Sequence, residues 1–441
     1  MHFDVLVLGG GTAGCVVASR LSADPGRRVC LVEAGPDYGS YAGGRWPDDI
    51  LDARWLAFSH SWETDREDRS QLRARILGGC SAHNACVVLE GAPGDYDEWG
   101  HGWSYETIRP YLARAREQFR TRELGRDELT PWHAAFADAA DAAILHPVNT
   151  VGTVRWNAAF AYLDPARERD NLTILGDTLV DRVLLHGDRA VGAATSAGDL
   201  DADVVVLAAS AYGTPGILLR SGVDELPVGE GLSDHVGVGF GYEPTDAYER
   251  EIRLFAEDRY VAMAQLTIPV RSSRSPEDAC DLFVFPAVDP EEDGYAISAA
   301  VFAMKPLSRG SVRLRSDDPR EPLAIEHGFL AAEEDVAVLA EGVEALRELV
   351  RAAPIRRYAA RETRPGPEVE AETHVRAEAR GFFHPTGTCA LGRVTDGDGR
   401  VLGYDGLYVA DASFIPSIPR ANTNLTVAAV AERIAETLAS T

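Results

Sequence analysis

The chain has 441 residues, of which 45% are hydrophobic and 25% charged, and its formal net charge is −26. This composition is typical of a globular protein with one large core or two domains, and the acidic excess argues against nucleic acid as a partner. The sequence shows no run of about 18 apolar residues and no signal peptide, and its six cysteines follow no disulfide spacing, so we expect a cytoplasmic protein that does not cross a membrane.

The N-terminal segment has the pattern of a dinucleotide-binding βαβ unit. An apolar run over residues 3–8 predicts a strand, and the alanine-rich segment that ends at Leu21 predicts the following helix. Between them, glycines allow a tight turn and the close approach of a pyrophosphate to the helix N-terminus. A second apolar run ends at Glu33, about 20 residues past the glycines, where an acidic side chain binds a ribose. A glycine-rich turn without a ligand is the alternative.

The central region of the chain predicts two different kinds of sheet. Residues 203–208 form a nearly continuous run of β-branched and apolar residues, which is typical of a parallel strand buried on both faces. Alternating apolar runs over 262–270, 281–287 and 295–304 predict an antiparallel sheet with one solvated or pocket-facing side. Residues 335–352 carry apolar side chains at helical spacing, which indicates packing rather than chemistry.

Two C-terminal segments contain the candidate chemistry. His384 begins the sequence His-Pro-Thr-Gly-Thr-Cys, and Asn422 precedes the last predicted helix. A histidine can remove a hydroxyl proton near neutral pH, and an alkoxide expels hydride more readily than a neutral alcohol does. An asparagine amide can donate to an oxygen that gains charge without competing for the proton. A structural histidine and a turn-forming asparagine are the alternatives.

The chain carries the N-terminal βαβ unit, residues 74–84, 211–215 and 218–222, and the two C-terminal segments. They occur in the order found in the glucose-methanol-choline (GMC) flavin oxidoreductases. The chain resembles that family from Phe3 to about Leu438. The resemblance implies an α/β fold in which a Rossmann-like FAD-binding domain is interleaved with an α+β substrate domain built on an antiparallel sheet. The expected FAD-binding segments are 1–149, 170–236 and 383–441, and the expected substrate-domain segments are 150–169 and 237–382.

The resemblance also implies the cofactor and the roles of individual residues. His384 matches the family's catalytic base, and Asn422 matches the second member of its active-site pair. Val180 lies where the family contacts the adenine, although a core valine is almost as good an interpretation. The expected FAD-binding residues are Gly9, Gly11, Thr12, Ala13, Gly14, Glu33, Ala34, Arg75, Gly78, Gly79, Ser81, His83, Asn84, Ala85, Val180, Asp411, Ala412, Asn422 and Asn424.

His83 carries the sharpest expectation. In the choline oxidase branch of the family, a histidine in a nearly identical Gly-Gly-Cys-Ser-x-His-Asn setting is attached covalently to the flavin 8α-methyl group. The resemblance therefore implies a covalent bond between FAD and His83, which would raise the flavin's affinity for electrons and prevent its loss. A noncovalent histidine packed near the dimethylbenzene ring is the alternative.

Two departures from the choline branch bear on the substrate. Ala85 stands where those enzymes have a serine, and Gly237 stands where they have the carboxylate that faces the trimethylammonium group. A quaternary cation would be desolvated here without that partner, so choline is not expected to be the substrate. The acidic surface favours cations only at the level of encounter.

The expected function is therefore FAD-dependent oxidation of a primary or secondary alcohol, with O₂ or another compound as electron acceptor. Two alternatives remain open, namely a hydroxynitrile-type lyase on the same scaffold and a catalytically silent flavin-binding protein. No nucleic-acid, membrane or metal partner is expected, and an oligomeric assembly is left open.

Overall fold

The computed structural model describes residues 2–62, 72–277 and 279–440. Its strands are β1 (His2–Leu8), β2 (Val29–Val32), β3 (Arg122–Glu123), β4 (Ile144–Leu145), β5 (Pro147–Val148), β6 (Thr150–Val151), β7 (Val154–Arg155), β8 (Leu172–Leu175), β9 (Val180–His186), β10 (Arg189–Thr195), β11 (Gly198–Leu207), β12 (Glu230–Leu232), β13 (Val236–Pro244), β14 (Leu266–Val270), β15 (Leu282–Glu291), β16 (Gly294–Ala303), β17 (Gly310–Arg313), β18 (Ala324–Glu326), β19 (Ala359–Arg364), β20 (Arg380–Gly381) and β21 (Leu407–Val409).

The α-helices are α1 (Thr12–Leu21), α2 (Asp48–Leu51), α3 (Pro93–Asp97), α4 (Tyr105–Gln118), α5 (Pro131–Ala139), α6 (Ser210–Arg220), α7 (Asp246–Asp258), α8 (Glu333–Val350), α9 (Ala353–Arg356), α10 (Ala371–Glu378) and α11 (Thr423–Ala439). Within the described ranges, no helix has both the length and the apolar character that a membrane crossing needs.

The first sheet is the expected dinucleotide-binding sheet. Its order is β8-β2-β1-β11-β10-β9, and β21 pairs with β11. The strands from β8 to β11 and β21 are parallel, whereas β10 and β9 are antiparallel. The side chains of β2 and of the end of β1 are buried on both faces, which is why these strands are apolar without alternation. The carboxyl ends of the parallel strands meet at one edge, where such folds bind their ligands.

The second sheet is antiparallel, as the alternating runs predict. Its order is β19-β13-β16-β15-β14-β4, with β20 beside β13. One face packs against α8, where Leu339 and Val343 are fully buried together with Val284 and Val301. The other face carries a row of phenylalanines described below. The period-2 alternation thus separates a packing face from a face that points toward the first domain.

Two segments pack differently from the predicted domain ranges. The strand β4, which falls in the predicted FAD-binding segment 1–149, pairs with β14 of the second sheet, and Trp132 of α5 belongs to the core of that sheet. Conversely, Phe160 and Tyr162, which fall in the predicted substrate-domain segment 150–169, are buried in the core around the first sheet. Both segments connect the domains, so their sequence pattern shows burial but not the sheet against which they pack.

Candidate active site

The turn after β1 has the geometry that a dinucleotide requires. Gly9 adopts a left-handed φ of 107°, and a Cβ on Gly14 would lie 1.8 Å from the Gly9 carbonyl oxygen. Any side chain at either position would therefore prevent α1 from packing on the strand. No side chain caps the N-terminus of α1 at Gly11, so its first N–H groups are left for a ligand.

Glu33 lies beside this turn as a buried carboxylate. Its two oxygens accept hydrogen bonds from the backbone N–H groups of Gly10 and Gly35, each at 2.8 Å. Burial raises the pKa of Glu33 to about 7 against the opposing effect of these two bonds. Thr178 donates its backbone N–H to the Glu33 carbonyl, and Val180 begins β9 two residues later. The expected ribose and adenine positions are therefore neighbours.

The segment from Ala74 to Asn84 lies directly against the turn. Gly78 and Gly79 have positive φ values of 92° and 55°, and a Cβ on Gly79 would lie 2.6 Å from the Gly11 Cα. The Ser81 hydroxyl donates to the Gly78 carbonyl and accepts from the Ala158 N–H. The glycines of the two segments thus meet backbone to backbone, which leaves a narrow cradle without side chains along the expected path of a pyrophosphate.

His83 stands at the end of that cradle with an unused ring nitrogen. Its Nε2 is buried and has no hydrogen-bond partner among the residues that the structure describes. Burial lowers the pKa of His83 to about 4, opposed by the backbone of Ser59, so the ring is neutral at neutral pH. Orphaned buried nitrogens are rare, and this one retains a polar atom for a group outside the chain.

The C-terminal cofactor positions are tied to the same cradle. The Thr12 hydroxyl donates to Oδ1 of Asn424 at 2.7 Å, which links the start of α1 to the start of α11. The Asp411 carboxylate accepts four hydrogen bonds, from Ser413 N and Oγ, Ser210 N and Thr214 Oγ. Because its carboxylate is fully engaged by the protein, Asp411 can face a ligand only through its backbone, as Ala412 does.

The remaining cofactor positions flank these groups. Arg75 donates from Nε to the Ala34 carbonyl at 3.0 Å, which joins the cradle to the segment after Glu33. Oδ1 of Asn84 accepts from the Cys86 N–H, and Ala13 is buried in the first turn of α1. The bare glycine backbones, the uncapped helix and the orphaned His83 nitrogen fit FAD.

The two candidate catalytic residues meet although 38 residues separate them. Nδ2 of Asn422 lies 3.3 Å from Nε2 of His384, and Oδ1 of Asn422 is buried without a partner within the described residues. On its other side, Nδ1 of His384 lies 2.9 Å from Nδ1 of His235. Nε2 of His235 lies 3.0 Å from the Pro419 carbonyl oxygen. The site therefore contains a row of three polar side chains anchored at a backbone carbonyl.

Burial, assisted by nearby charges, lowers the pKa of both imidazoles in this row. Burial lowers the pKa of His384 well below its ordinary value, and His235 and Arg73 act in the same direction. Burial also lowers the pKa of His235 to about 3. The Asp234 carboxylate accepts the backbone N–H of His384 rather than a ring N–H, and burial raises its pKa to about 7. His384 is therefore an unprotonated base at neutral pH.

The loop that carries Asn422 is fixed by a buried carboxylate. Asp95, at the start of α3, accepts the Arg420 backbone N–H at 2.8 Å and its Nη1 at 2.6 Å. Lys305 lies 3.3 Å from the same carboxylate. Two cations thus compensate the buried charge, and the loop from Pro419 to Asn422 is held from outside the site.

The wall beside His384 is aromatic. The ring of Phe382 meets the imidazole of His384 edge to face at 4.7 Å and stacks on Phe302 at 3.8 Å. Phe285 adjoins both phenylalanines. A Cβ on Gly237 would lie 2.3 Å from the Phe302 ring. The space beside Gly237 is therefore filled by a phenylalanine from the neighbouring strand.

A cavity of about 260 Å³ is lined by Ala85 and Ala264, with Arg122 and Arg259 among its polar groups. Ala85 and Ala264 also pack against the cluster that includes Ala421, the residue before Asn422. Ala85 therefore contacts both this cavity and the cluster next to Asn422.

Three residues of the site are absent from the sequence-based expectations. Asp95 has no motif of its own, and Asp234 and His235 form a polar pair directly before β13. The contact between His235 and His384 joins positions 149 residues apart. A polar pair directly before a buried strand is a weak signal, and only the fold shows what it touches.

Comparison with known families identifies related proteins. A model of the GMC oxidoreductase family matches residues 145–237 with its N-terminal domain and 306–431 with its C-terminal domain. A lycopene cyclase protein model matches residues 4–67, a span that contains the glycine turn and Glu33 but neither His384 nor Asn422. The last match therefore reflects the dinucleotide unit alone.

Curated relatives match the chain over nearly its whole length. A 5-(hydroxymethyl)furfural oxidase from Methylovorus sp. is 30% identical, with 99% of this chain and 98% of that protein covered. An oxygen-dependent choline dehydrogenase from Pectobacterium carotovorum is 29% identical, with 99% and 94% covered. Its alignment extends over 532 positions, so that relative carries segments that this chain of 441 residues lacks.

Solved structures share the fold. Pyridoxine 4-oxidase from Mesorbium loti superposes with a TM-score of 0.83 at 24% identity, covering 99% of both chains. A variant of formate oxidase from Aspergillus oryzae superposes with a TM-score of 0.86 at 22% identity, covering 100% of this chain and 98% of that one.

Proposed function

Because the chain belongs to the GMC oxidoreductase family, we propose that it is an FAD-dependent enzyme that oxidises a neutral alcohol to the corresponding carbonyl compound. The observation that supports this most directly is the half-buried contact between Nε2 of His384 and Nδ2 of Asn422. An unprotonated base and an amide donor point at the same small space, which is the arrangement that a reacting hydroxyl group requires.

In the proposed reaction, His384, Asn422 and the neighbouring phenylalanines have different roles. His384 accepts the hydroxyl proton at Nε2, and Asn422 donates an amide N–H to the oxygen as it gains negative charge. When bound, FAD supplies the acceptor for the hydride that leaves the alcohol carbon, so that one proton and one hydride leave the substrate together. Phe382, Phe302 and Phe285 keep water from the face of the base and hold the rest of the substrate by apolar contact.

Two features favour a neutral substrate over a quaternary amine. Phe302 fills the space beside Gly237, so no carboxylate can lie there without displacing the ring. The relatives include both a choline dehydrogenase and a hydroxymethylfurfural oxidase, and the aromatic wall here suits a planar or apolar body of the second kind. We propose a primary alcohol on a neutral ring as the substrate class.

We also propose that FAD is attached covalently to His83 and that O₂ is the electron acceptor. The neutral, orphaned Nε2 of His83 supports its attachment to the flavin ring, and the oxygen-dependent relative supports O₂ as electron acceptor. The cysteine pattern supports a cytoplasmic location.

The test is anaerobic mixing of the purified flavoprotein with neutral alcohols while the flavin absorbance is recorded. An alcohol oxidoreductase bleaches the flavin and releases an equivalent of carbonyl product. A hydroxynitrile-type lyase forms carbonyl product from a cyanohydrin without bleaching, and a silent flavin protein does neither. Either of the last two results would contradict the proposal.

A further inference from the structure

We infer that His235 is a positioning residue that holds His384 in the one neutral tautomer whose Nε2 carries no hydrogen. The inference rests on the proposed function for its consequence. The positions of the ring protons can be measured in the resting protein without substrate. The proton assignment can therefore fail while the proposed function holds, and the reverse.

The first step concerns His235. Its Nε2 lies 3.0 Å from the Pro419 carbonyl oxygen, and a carbonyl oxygen can only accept a hydrogen bond. The Nε2 of His235 therefore carries a hydrogen. Burial, with the nearby charge of Lys305 acting in the same direction, lowers the pKa of His235 to about 3, so the ring bears one proton only. Its Nδ1 must then be the unprotonated nitrogen.

The second step concerns His384. Its Nδ1 lies 2.9 Å from Nδ1 of His235, and a contact this short between two ring nitrogens needs one hydrogen. His235 cannot provide it, so Nδ1 of His384 donates. Because His384 is also neutral, its Nε2 is then unprotonated. The third contact agrees, since Nδ2 of Asn422 is a donor and lies 3.3 Å from that nitrogen.

The charged groups packed around His235 and His384 do not change this assignment of the ring protons. The Asp234 carboxylate engages the backbone N–H of His384, and Arg73 adds positive charge that disfavours protonation of the same ring. Lys305 does the same for His235, and Lys305 is itself ion-paired with the carboxylates of Asp95 and Glu98. A neutral imidazole therefore orients the base here, where many enzymes use a carboxylate.

The assigned tautomer determines which nitrogen of His384 receives the substrate proton. A substrate hydroxyl can donate only to Nε2 of His384, where it replaces the amide N–H of Asn422 and leaves that N–H to donate to the substrate oxygen. The imidazolium that forms keeps its Nδ1–H bond to His235, so the ring does not turn while it holds the proton. Without His235, the Nδ1-protonated tautomer loses its acceptor, and the opposite tautomer places a hydrogen where the base must be bare.

The direct test is ¹⁵N NMR of the FAD-bound protein, labelled at its histidines and studied without substrate at neutral pH. The chain has 11 histidines, and the His384 signals are identified by comparison with His384→Gln. We expect protonated Nδ1 and unprotonated Nε2 for His384, and the reverse for His235. A protonated Nε2 on His384 would overturn the inference whether or not any alcohol reduces the flavin.

Two variants add a functional readout. His235→Phe removes the acceptor while filling the space, and we expect flavin reduction to slow by a factor on the order of 10², with little change in KM. His235→Asn places an amide oxygen near the former Nδ1 and should recover most of the rate. An unchanged rate and an unchanged His384 spectrum in His235→Phe would contradict the inference.

His133 offers a matched control. It is also fully buried, with its Nε2 3.1 Å from the Pro286 carbonyl oxygen, but its Nδ1 faces the Thr130 hydroxyl. His133→Asn should leave the His384 ring spectrum and the pH profile of flavin reduction unchanged. If it alters them as much as the His235 variants do, the effect is general destabilisation and the assigned role of His235 is wrong.

Discussion

At the scale of single residues, His384 is the group on which the proposed chemistry depends. We expect His384→Ala to lower the rate constant for flavin reduction by a factor on the order of 10² or more, because general base catalysis contributes about that much. Stopped-flow reduction by saturating alcohol under anaerobic conditions measures it. An unchanged rate with FAD fully bound would exclude His384 as the base.

The pH profile of the same step has a defined sign. The pKa of His384 is lowered, so the neutral form persists to pH values below the ordinary histidine range and is lost only in more acidic solution. The rate of flavin reduction should therefore stay constant from neutral pH down past about 6.5 and fall only below it. A midpoint above that value would show that the base is not the desolvated imidazole described above.

His83 carries the prediction about cofactor attachment. Its neutral Nε2, which has no partner among the described residues, is the atom available for a bond to the flavin. The denatured protein should therefore weigh one FAD more than its chain, and the yellow colour should remain with the acid-precipitated pellet. His83→Ala should bind FAD noncovalently at the glycine cradle and show a lower reduction potential. A bare chain mass from yellow native protein would rule out the bond.

The sequence predicted two of the three side chains in the catalytic row, Asn422 and His384, but not the third, His235. His384 and Asn422 lie in recognisable motifs, and the structure brings them to 3.3 Å. His235 orients the base from the end of another segment, and nothing in its local sequence distinguishes it from a packing histidine. Asp411 shows the converse, because its motif indicates a cofactor contact whereas its carboxylate is fully used inside the protein.

At the scale of elements, we propose that the phenylalanine face of β15 and β16 selects the part of the substrate that does not react. Neutral aromatic primary alcohols should reduce the flavin with a kcat/KM at least about tenfold above that of choline, since desolvating a cation without a partner costs more than about 1.4 kcal/mol. Phe302→Leu should reduce this preference, and Leu254→Ala, at an exposed position on α7, is the matched control. Choline turnover equal to that of the best neutral alcohol would contradict the assignment.

The strands of the second sheet could be predicted because their alternation is strong. The runs over 281–287 and 295–304 correspond to Leu282–Glu291 and Gly294–Ala303, and the helix expected over 335–352 spans Glu333–Val350. The identity of the wall could not be predicted in the same way. Phe302 reaches the space beside Gly237 through a cross-strand pairing, and register between strands depends on the whole sheet.

At the scale of the whole molecule, the net charge of −26 should have little effect on catalysis if the substrate is neutral. Electrostatic steering acts on charged ligands and is screened by salt. We therefore expect kcat/KM for a neutral alcohol to change by less than about twofold between low and high ionic strength. A steep fall with salt would indicate a cationic substrate drawn in by the acidic surface.

The overall architecture could be predicted because its blocks occur in a fixed order along the chain. The domain boundaries were harder to predict from the sequence. The elements α5 and β4 lie in the sequence beside segments of the first domain, but they pack with the second. The chain also lacks segments that its longer relative carries. The shape of the space around the site therefore follows from the residues of this chain and cannot be transferred from that relative.

In the proposed reaction, an alcohol carbon loses hydride to the bound flavin while His384 takes the proton. Single-turnover, anaerobic reduction by benzyl alcohol and by its α,α-dideuterated form measures this step. We expect that the flavin bleaches, that one equivalent of benzaldehyde appears per flavin, and that deuterium slows the bleaching severalfold. Aldehyde formation without bleaching, or an oxidised flavin that no neutral alcohol reduces, would contradict it.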